Sequence, residues 1–335
     1  MVIMERLPIF IDLFAGCGGL SLGFEQAGFK CILAIDKEQE MVDTYNHNRE
    51  DKVAVVMDVY DFNKAVLIEK TDKDHVAAVI GGPSCQGYSL AGKRNTMDPR
   101  NSMVDEFYRV VEDIKPRYFV MENVPGILSM LRPGGRISVV EWIEHRAKQM
   151  GYCMRWKKLL AHHYGVGQSR SRIFFVGWKA GESAPVFPPP ITHSNTHAVD
   201  LFGSHFARYV TAGDVLNSIP ADAPNQDLVY KFVNPDYIAK VEKLGYGESV
   251  YDNFKESHRR LDPSLPAFTM KQNHGSIAIN PYETRMITLR EMAAFQDFPN
   301  DYEFLGDNRK IAEMIGNAVP VGLARAVALQ IKKVA

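Results

Sequence analysis

IFIDLFAGCGGLSLGFEQAGF, residues 9–29, is the stretch on which the fold turns. An apolar run leads into a glycine-rich turn, and Leu20, Phe24 and Ala27 then recur at helical spacing. That order reads as strand, loop, helix. Outward from it, KCILAID is a second strand closing on Asp36, and EQEMVDTYNHN suits the helix that follows. VAVVMDVYD reads as a third strand ending in acids, and HVAAVIGGPSC as a fourth. PRYFVMENVPG is a fifth, preceded by the amphipathic FYRVVEDIK.

Strands that alternate with helices predict an α/β fold with a doubly wound, mostly parallel sheet. Ligands of such sheets gather at the carboxyl ends of the strands. Asp12, Gly16, Asp36, Asp58, Cys85 and Glu122 all fall at or near such ends, which marks out an active-site rim. Beyond SRIFFVGWKAG the texture changes. APVFPPPITHSNTH reads as a linker or loop, and the irregular pattern that follows predicts a smaller second domain. TLREMAAFQDFP and IAEMIGNAVPVGLARAVALQIKK restore helical periodicity, the latter as one closing helix.

With 335 residues the chain can bury a large core. No apolar run is expected to cross a bilayer, and the N-terminus reads as a first strand, not a signal peptide. Four scattered cysteines argue against a zinc site or a disulfide framework and for a reducing, intracellular setting. A net charge of −1 gives no global sign of a nucleic-acid partner. Its distribution is uneven, however. No acid lies between Glu144 and Glu182, a window holding Arg146, Lys148, Arg155, Lys157, Lys158, Arg170, Arg172 and Lys179. Such a window is either a solvated face or a patch that neutralises phosphates.

FAGCGG after a strand lets a ligand approach the backbone closely, and Asp36 could accept from ribose hydroxyls. A nucleotide-dependent dehydrogenase shares those features, but the glycine spacing here is F-x-G-x-G-G, and a further acid, Asp58, follows the third strand. Acceptors at both places suit an adenosine. Cys85, in GGPSCQGYSL, is either a nucleophile or a small residue in a tight turn; as a nucleophile it needs help, because the thiolate attacks. Glu122 ends a neighbouring strand, where a buried carboxyl could donate to a ring nitrogen or simply sit in a salt bridge or cap. Arg170 and Arg172, two apart on a strand, suit anion or carbonyl recognition, or a surface pair.

Taken in order, DLFAGCGGLSLGF, the strand ending in Asp36, MDV, GGPSCQGYS, MENVPG, QSRSRIFFVG, RRLDPSLPAFTM and GNAVPVGLARAVA resemble the DNA (cytosine-5) methyltransferases along nearly the whole chain. The resemblance implies a Rossmann-like fold that binds S-adenosylmethionine, with residues 1–178 plus 312–335 as catalytic domain. It makes residues 179–285 a target-recognition domain and 286–311 a hinge. Phe14, Ala15, Gly16, Gly18, Gly19, Asp36, Lys37, Asp58, Val59, Asn317 and Val319 would surround the cofactor, with Phe14 against adenine. Cys85 would be the nucleophile, Glu122 would hold the cytosine N3, and Arg172 would meet the carbonyl. Arg170, grouped with the catalytic residues, would with Gln86 and Ser89 support the loop and the DNA. Lys93, Arg94 and Arg100 would meet phosphates from a closing loop.

No metal is implied. Double-stranded DNA is the implied partner, with a monomeric enzyme in a bacterial cytoplasm beside a possible endonuclease. The family usually carries proline where this chain has Ser84, so the backbone leading into Cys85 is less constrained here. Two rival functions remain beside DNA modification: methylation of tRNA, although that branch's Cys-Phe-Thr element is missing, and a non-catalytic DNA binder.

Overall fold

The computed structural model describes residues 7–83, 103–132, 135–195, 206–253, 258–271 and 278–335. Two compact units emerge. One comprises Met1–Leu159, Ser171–Pro190 and Ala324–Ala335; the other comprises Leu160–Arg170 and Ile191–Leu323.

In the first unit the chain runs β1 (Ile9–Leu13), α1 (Gly19–Gln26), β2 (Lys30–Asp36), α2 (Gln39–His47), β3 (Ala54–Val56), α3 (Lys64–Thr71) and β4 (Ala78–Gly81). It continues through α4 (Met103–Ile114), β5 (Tyr118–Asn123), α5 (Val139–Gln149) and β6 (Tyr152–Leu160). After β7 (Gln168–Ser169), which stands apart from the main sheet, β8 (Ser171–Lys179) completes seven strands in the order β3-β2-β1-β4-β5-β8-β6. β3, β2, β1, β4 and β5 are mutually parallel, and β8 runs antiparallel to β5. The chain winds outward from β1 in both directions, so the switch point lies between β1 and β4, where the carboxyl ends open a crevice.

Apolar side chains of β1, β4 and β5 pack against α4 and α5. Phe119 lies at its centre, 5.5 Å from Tyr108 and 5.3 Å from Tyr152, both edge-on. Two glycines let strands come this close. A Cβ at Gly81 would meet the Leu13 carbonyl oxygen at 2.5 Å, and one at Gly177 would enter the Phe119 ring at 2.0 Å. β6 closes one side of the sheet with Arg155, Lys157 and Lys158 exposed, charges that discourage pairing with another strand.

The second unit is built differently. Its strands are two residues long: β9 (His193–Ser194) with β10 (Ala207–Arg208), β11 (Arg259–Arg260) with β13 (Ala278–Ile279), and β12 (Ala267–Phe268) with β7. Around them lie α6 (Ala212–Asn217), α7 (Pro235–Glu242), α8 (Leu289–Phe295) and α9 (Asn308–Asn317). Phe298, Tyr302 and Phe304 pack ring on ring at 4.9–5.2 Å. Buried polar side chains hold what the strands do not. Gln168 donates to the Phe295 carbonyl at 2.8 Å and accepts from Met270 N at 2.8 Å. Gln296 donates to the Ile315 carbonyl at 2.8 Å, and Arg290 to the Tyr302 carbonyl at 2.8 Å.

The closing segment departs from the single helix expected of it. α9 ends at Asn317 and α10 (Val321–Lys332) starts afresh, with Ala318 extended at φ −55°, ψ 147°. Pro320 offers no N–H and disfavours helical backbone at Val319. By length and composition Asn308–Lys332 could cross a membrane, contrary to the sequence reading, but it is mostly buried and broken at this proline.

Candidate active site

The loop after β1 carries the first half of the site. Phe14 and Gly16 have left-handed backbones, φ 61° and 53°, and Gly18, at φ 87°, caps α1. A bulky residue such as Phe14 adopts this conformation only at a cost, a type of strain concentrated at functional sites. Asp36, at the end of the adjacent β2, fixes the loop: its Oδ2 accepts from Gly16 N at 2.9 Å and its Oδ1 from Glu38 N at 3.0 Å. Burial raises its pKa despite both bonds. Among the described residues, nothing lies within 4 Å of where a Cβ on Gly16 would project. An open backbone, a half-exposed ring and a carboxylate with lone pairs to spare suit an adenosine-bearing ligand.

Asp58 is exposed, and its Oδ1 caps a short turn by accepting from Tyr60 N at 3.1 Å. Val59 turns its side chain into the core, and its carbonyl accepts from Arg109 at 2.8 Å. A cofactor contact at Val59 therefore falls to backbone alone. Ala15 is buried with Gly18 and Gly19, while Lys37 is exposed. The depression bounded by Leu7, Glu25, Phe29, Lys30, Arg49 and Asp51 adjoins the amino end of β2.

The second half lies at the ends of β5 and β8. Glu122 and Arg172 are both buried, with Arg172 Nε 2.7 Å from Glu122 Oε1. β4 and β5 are neighbours, with Gly81 opposite Met121, so Glu122 stands beside the chain leaving β4. A Cβ on Gly82 would be 3.1 Å from Glu122 Oε2. Asn123, a residue the sequence reading passed over, donates from Nδ2 to the Pro83 carbonyl at 3.1 Å and pins the start of that segment. Its position next to Glu122 was the only available signal. Cys85, Gln86, Ser89, Lys93, Arg94 and Arg100 lie outside the described residues.

The C-5 cytosine-specific DNA methylase family model matches residues 9–333. The chain belongs to this family. As a C-5 cytosine methylase it is 34% identical over 340 residues to Type II methyltransferase M1.HphI of Haemophilus parahaemolyticus, covering 97% of this chain and 86% of that protein. It is 33% identical over 366 residues to M.DdeI of Desulfomicrobium norvegicum, covering 96% and 88%. Among solved structures, a candidate DNA modification methyltransferase encoded within an E. coli prophage superposes with a TM-score of 0.75 at 25% identity, over 98% of this chain and 99% of that one. The S. pombe Dnmt2 methyltransferase shares the fold, with a TM-score of 0.66 at 16% identity over 98% of both chains. The large, mostly parallel sheet is thus the Rossmann-like sheet of these methyltransferases.

One residue of this methylase needs reassignment. Arg170, grouped with the catalytic residues, is not on a common strand with Arg172, because the chain breaks between β7 and β8 at that point. It is 1% exposed, and its Nη1 and Nη2 donate to the carbonyls of Met270 and Gly316 at 2.6 and 2.7 Å. A guanidinium that donates to two buried carbonyls is a structural link among the described residues. Asn317 and Val319 belong to the second unit, where Asn317 ends α9 and Val319 is buried. The basic window does not form one face either: Arg170 and Arg172 are buried, and Arg146 pairs with Glu112 at 2.5 Å.

Proposed function

We propose that this methylase forms a transient bond between the Cys85 sulfur and C6 of a flipped-out cytosine, with Glu122 at N3 and Arg172 at the ring carbonyl. The observation that carries the assignment is the buried Glu122–Arg172 pair at 2.7 Å, beside the segment that leads to Cys85. Carbon 5 of cytosine is a weak nucleophile. Addition of a thiolate at C6, with N3 held by a carboxyl proton, moves electron density onto C5. Bound S-adenosylmethionine supplies the electrophilic methyl group. Loss of the C5 proton and departure of Cys85 then restore the aromatic ring.

Each residue keeps one task. Arg172 Nε pairs with Glu122 Oε1 and its Nη1 donates to the Ser171 carbonyl at 2.8 Å, Glu122 Oε2 lies toward Gly82, and the base would enter beside this pair. On this reading Phe14, Gly16, Gly18, Gly19 and Asp36 hold the cofactor, Asp58 faces the adenine amine, and Ala15, Lys37 and the Val59 backbone line the same loops. Asn317 and Val319 retain their assignment by resemblance, as do Gln86, Ser89, Lys93, Arg94 and Arg100 on the DNA side. A base within a duplex cannot present C6 to a thiol, so the nucleotide must leave the stack, which costs a few kcal/mol. The protein acts as a modification enzyme on a short site in double-stranded DNA, in the manner its Type II relatives' names describe, with readout of that site in the second unit.

The test is transfer of labelled methyl groups to DNA and, separately, to tRNA. Label in DNA supports the reading. Label in tRNA alone rejects it, and label in neither with cofactor binding intact leaves a DNA binder. Duplex DNA with 5-fluorocytosine at the target site should trap a covalent adduct that Cys85→Ala abolishes. An adduct that survives this change removes Cys85 from its role.

A further inference from the structure

Behind the glycine loop lies a block of side chains that methyl transfer does not use. Asp12 of β1 is buried and accepts from Ser21 Oγ at 2.5 Å; Ser21 Oγ in turn accepts from the Tyr45 hydroxyl at 2.9 Å. The Arg49 guanidinium lies over the Tyr45 ring, 3.7 Å from its centroid. Its Nε and Nη2 reach the Glu25 carboxylate at 2.9–3.1 Å, and Nη1 donates to the Tyr45 carbonyl at 3.1 Å. Nη2 also donates to the Gly18 carbonyl at 3.4 Å. One side chain therefore joins α1, the end of α2 and the loop itself.

The block meets the loop at a definite place. A Cβ on Gly18 would lie 2.8 Å from Tyr45 Cδ2 and 3.0 Å from both terminal nitrogens of Arg49, whereas the Gly16 side is open. Among the described residues, the loop is thus filled on the Gly18 side and open on the Gly16 side. The Arg49–Glu25 pair is also unlike a surface ion pair. Arg49 is 9% exposed, and its bonds are several and charge-assisted, so solvent screens them little.

We propose that Arg49, backed by Glu25 and Tyr45, is a positioning residue for the cofactor: it holds the 14–19 loop in its binding conformation before S-adenosylmethionine arrives. This rests on the reading that the loop binds the cofactor. Ordering done in advance leaves more of the contact free energy to appear as affinity. Removing Arg49 should therefore weaken cofactor binding and leave the chemistry and DNA binding far less changed.

The experiment titrates S-adenosylhomocysteine into the full chain by calorimetry, and measures kinetics with the cofactor varied at saturating DNA. Arg49→Met keeps a stem over Tyr45 and removes every polar bond; Arg49→Lys keeps the charge beside Glu25. Loss of charge-assisted bonds behind the loop should raise the cofactor KM and the Kd about tenfold in Arg49→Met and about threefold in Arg49→Lys. The turnover number should change less than about threefold, and DNA affinity should hold. Arg117→Met, at the surface pair with Glu182 in the same unit, is the control and should change neither constant. A folded Arg49→Met with unaltered cofactor constants overturns the proposal, as does an equal loss of cofactor affinity, turnover and DNA affinity. Should Arg49→Met not fold, Glu25→Gln is read instead, with a smaller rise expected and an unchanged KM overturning the proposal. Asp36→Ala separates the two ideas. If it leaves cofactor binding intact, the pocket assignment itself fails. If it weakens binding while Arg49→Met does not, only the role of Arg49 falls.

Discussion

Two buried arginines, Arg172 and Arg170, differ in what surrounds them. Arg172, in the sheet unit, faces a carboxylate at a strand end where the chain opens toward the Cys85 segment. Arg170, in the irregular unit, is closed in on two backbone carbonyls. On the proposed reading the same side chain serves reaction in one place and architecture in the other. The sheet unit obtains its order from ladders and apolar packing, and its buried charges pair with each other at a strand end. The irregular unit has two-residue strands and many carbonyls without a ladder partner. Gln168, Arg170, Arg290 and Gln296 supply those bonds from side chains.

That contrast can be broken by substitution. Glu122→Gln should lower single-turnover methyl transfer by about 10²–10⁴-fold, the range for loss of a positioned proton donor. A near-UV spectrum like that of the parent would show that the fold survives. Arg170→Met should do the reverse. Two buried carbonyls lose charge-assisted donors, so denaturant titration should show about 3–5 kcal/mol of lost stability. If Arg170→Met is stable but inactive, the reassignment of Arg170 is wrong.

A third substitution sharpens the picture within the sheet unit. Burial raises the Asp12 pKa to about 7, partly offset by the Ser21 hydrogen bond. The folded protein keeps a proton there that the unfolded chain releases near its ordinary value of 3.8. The resulting stability is complete below that value and is lost as pH rises through about 7. Asp12→Asn should flatten the fall in unfolding free energy between about pH 4 and about pH 7, a change of a few kcal/mol at most. An unchanged slope would place the titration elsewhere. The smallest effect belongs to Arg117→Ala: this largely exposed pair should alter the unfolding free energy by no more than about 0.5 kcal/mol.

The same contrast explains what could be read in the sequence. Residues 9–29 declared strand, loop and helix because apolar spacing and glycines report local geometry directly. Glu122 and Arg172 were legible through their places in MENVPG and QSRSRIFFVG, although nothing local showed that they touch. Arg170 looked equivalent to Arg172, since spacing within a motif does not reveal that the strand breaks between them. Arg49 gave no signal at all. It sits in the polar HNRE run, and its importance lies in contacts with residues 24 and 31 positions earlier. The closing segment reads as one helix because apolar periodicity continues on both sides of Pro320, whereas the proline's missing N–H breaks it after Asn317.

The pairing of Leu13 with Gly81 has a consequence of its own. Adjacent strands keep a separation of about 4.8 Å, so the peptide leading to the glycine turn and the one leading to the thiol depart from points that cannot drift apart. On the proposed reading the sheet would act as a ruler between methyl source and acceptor. Lengthening either connection would alter what is carried at its tip, yet both would still start from two rungs of one ladder.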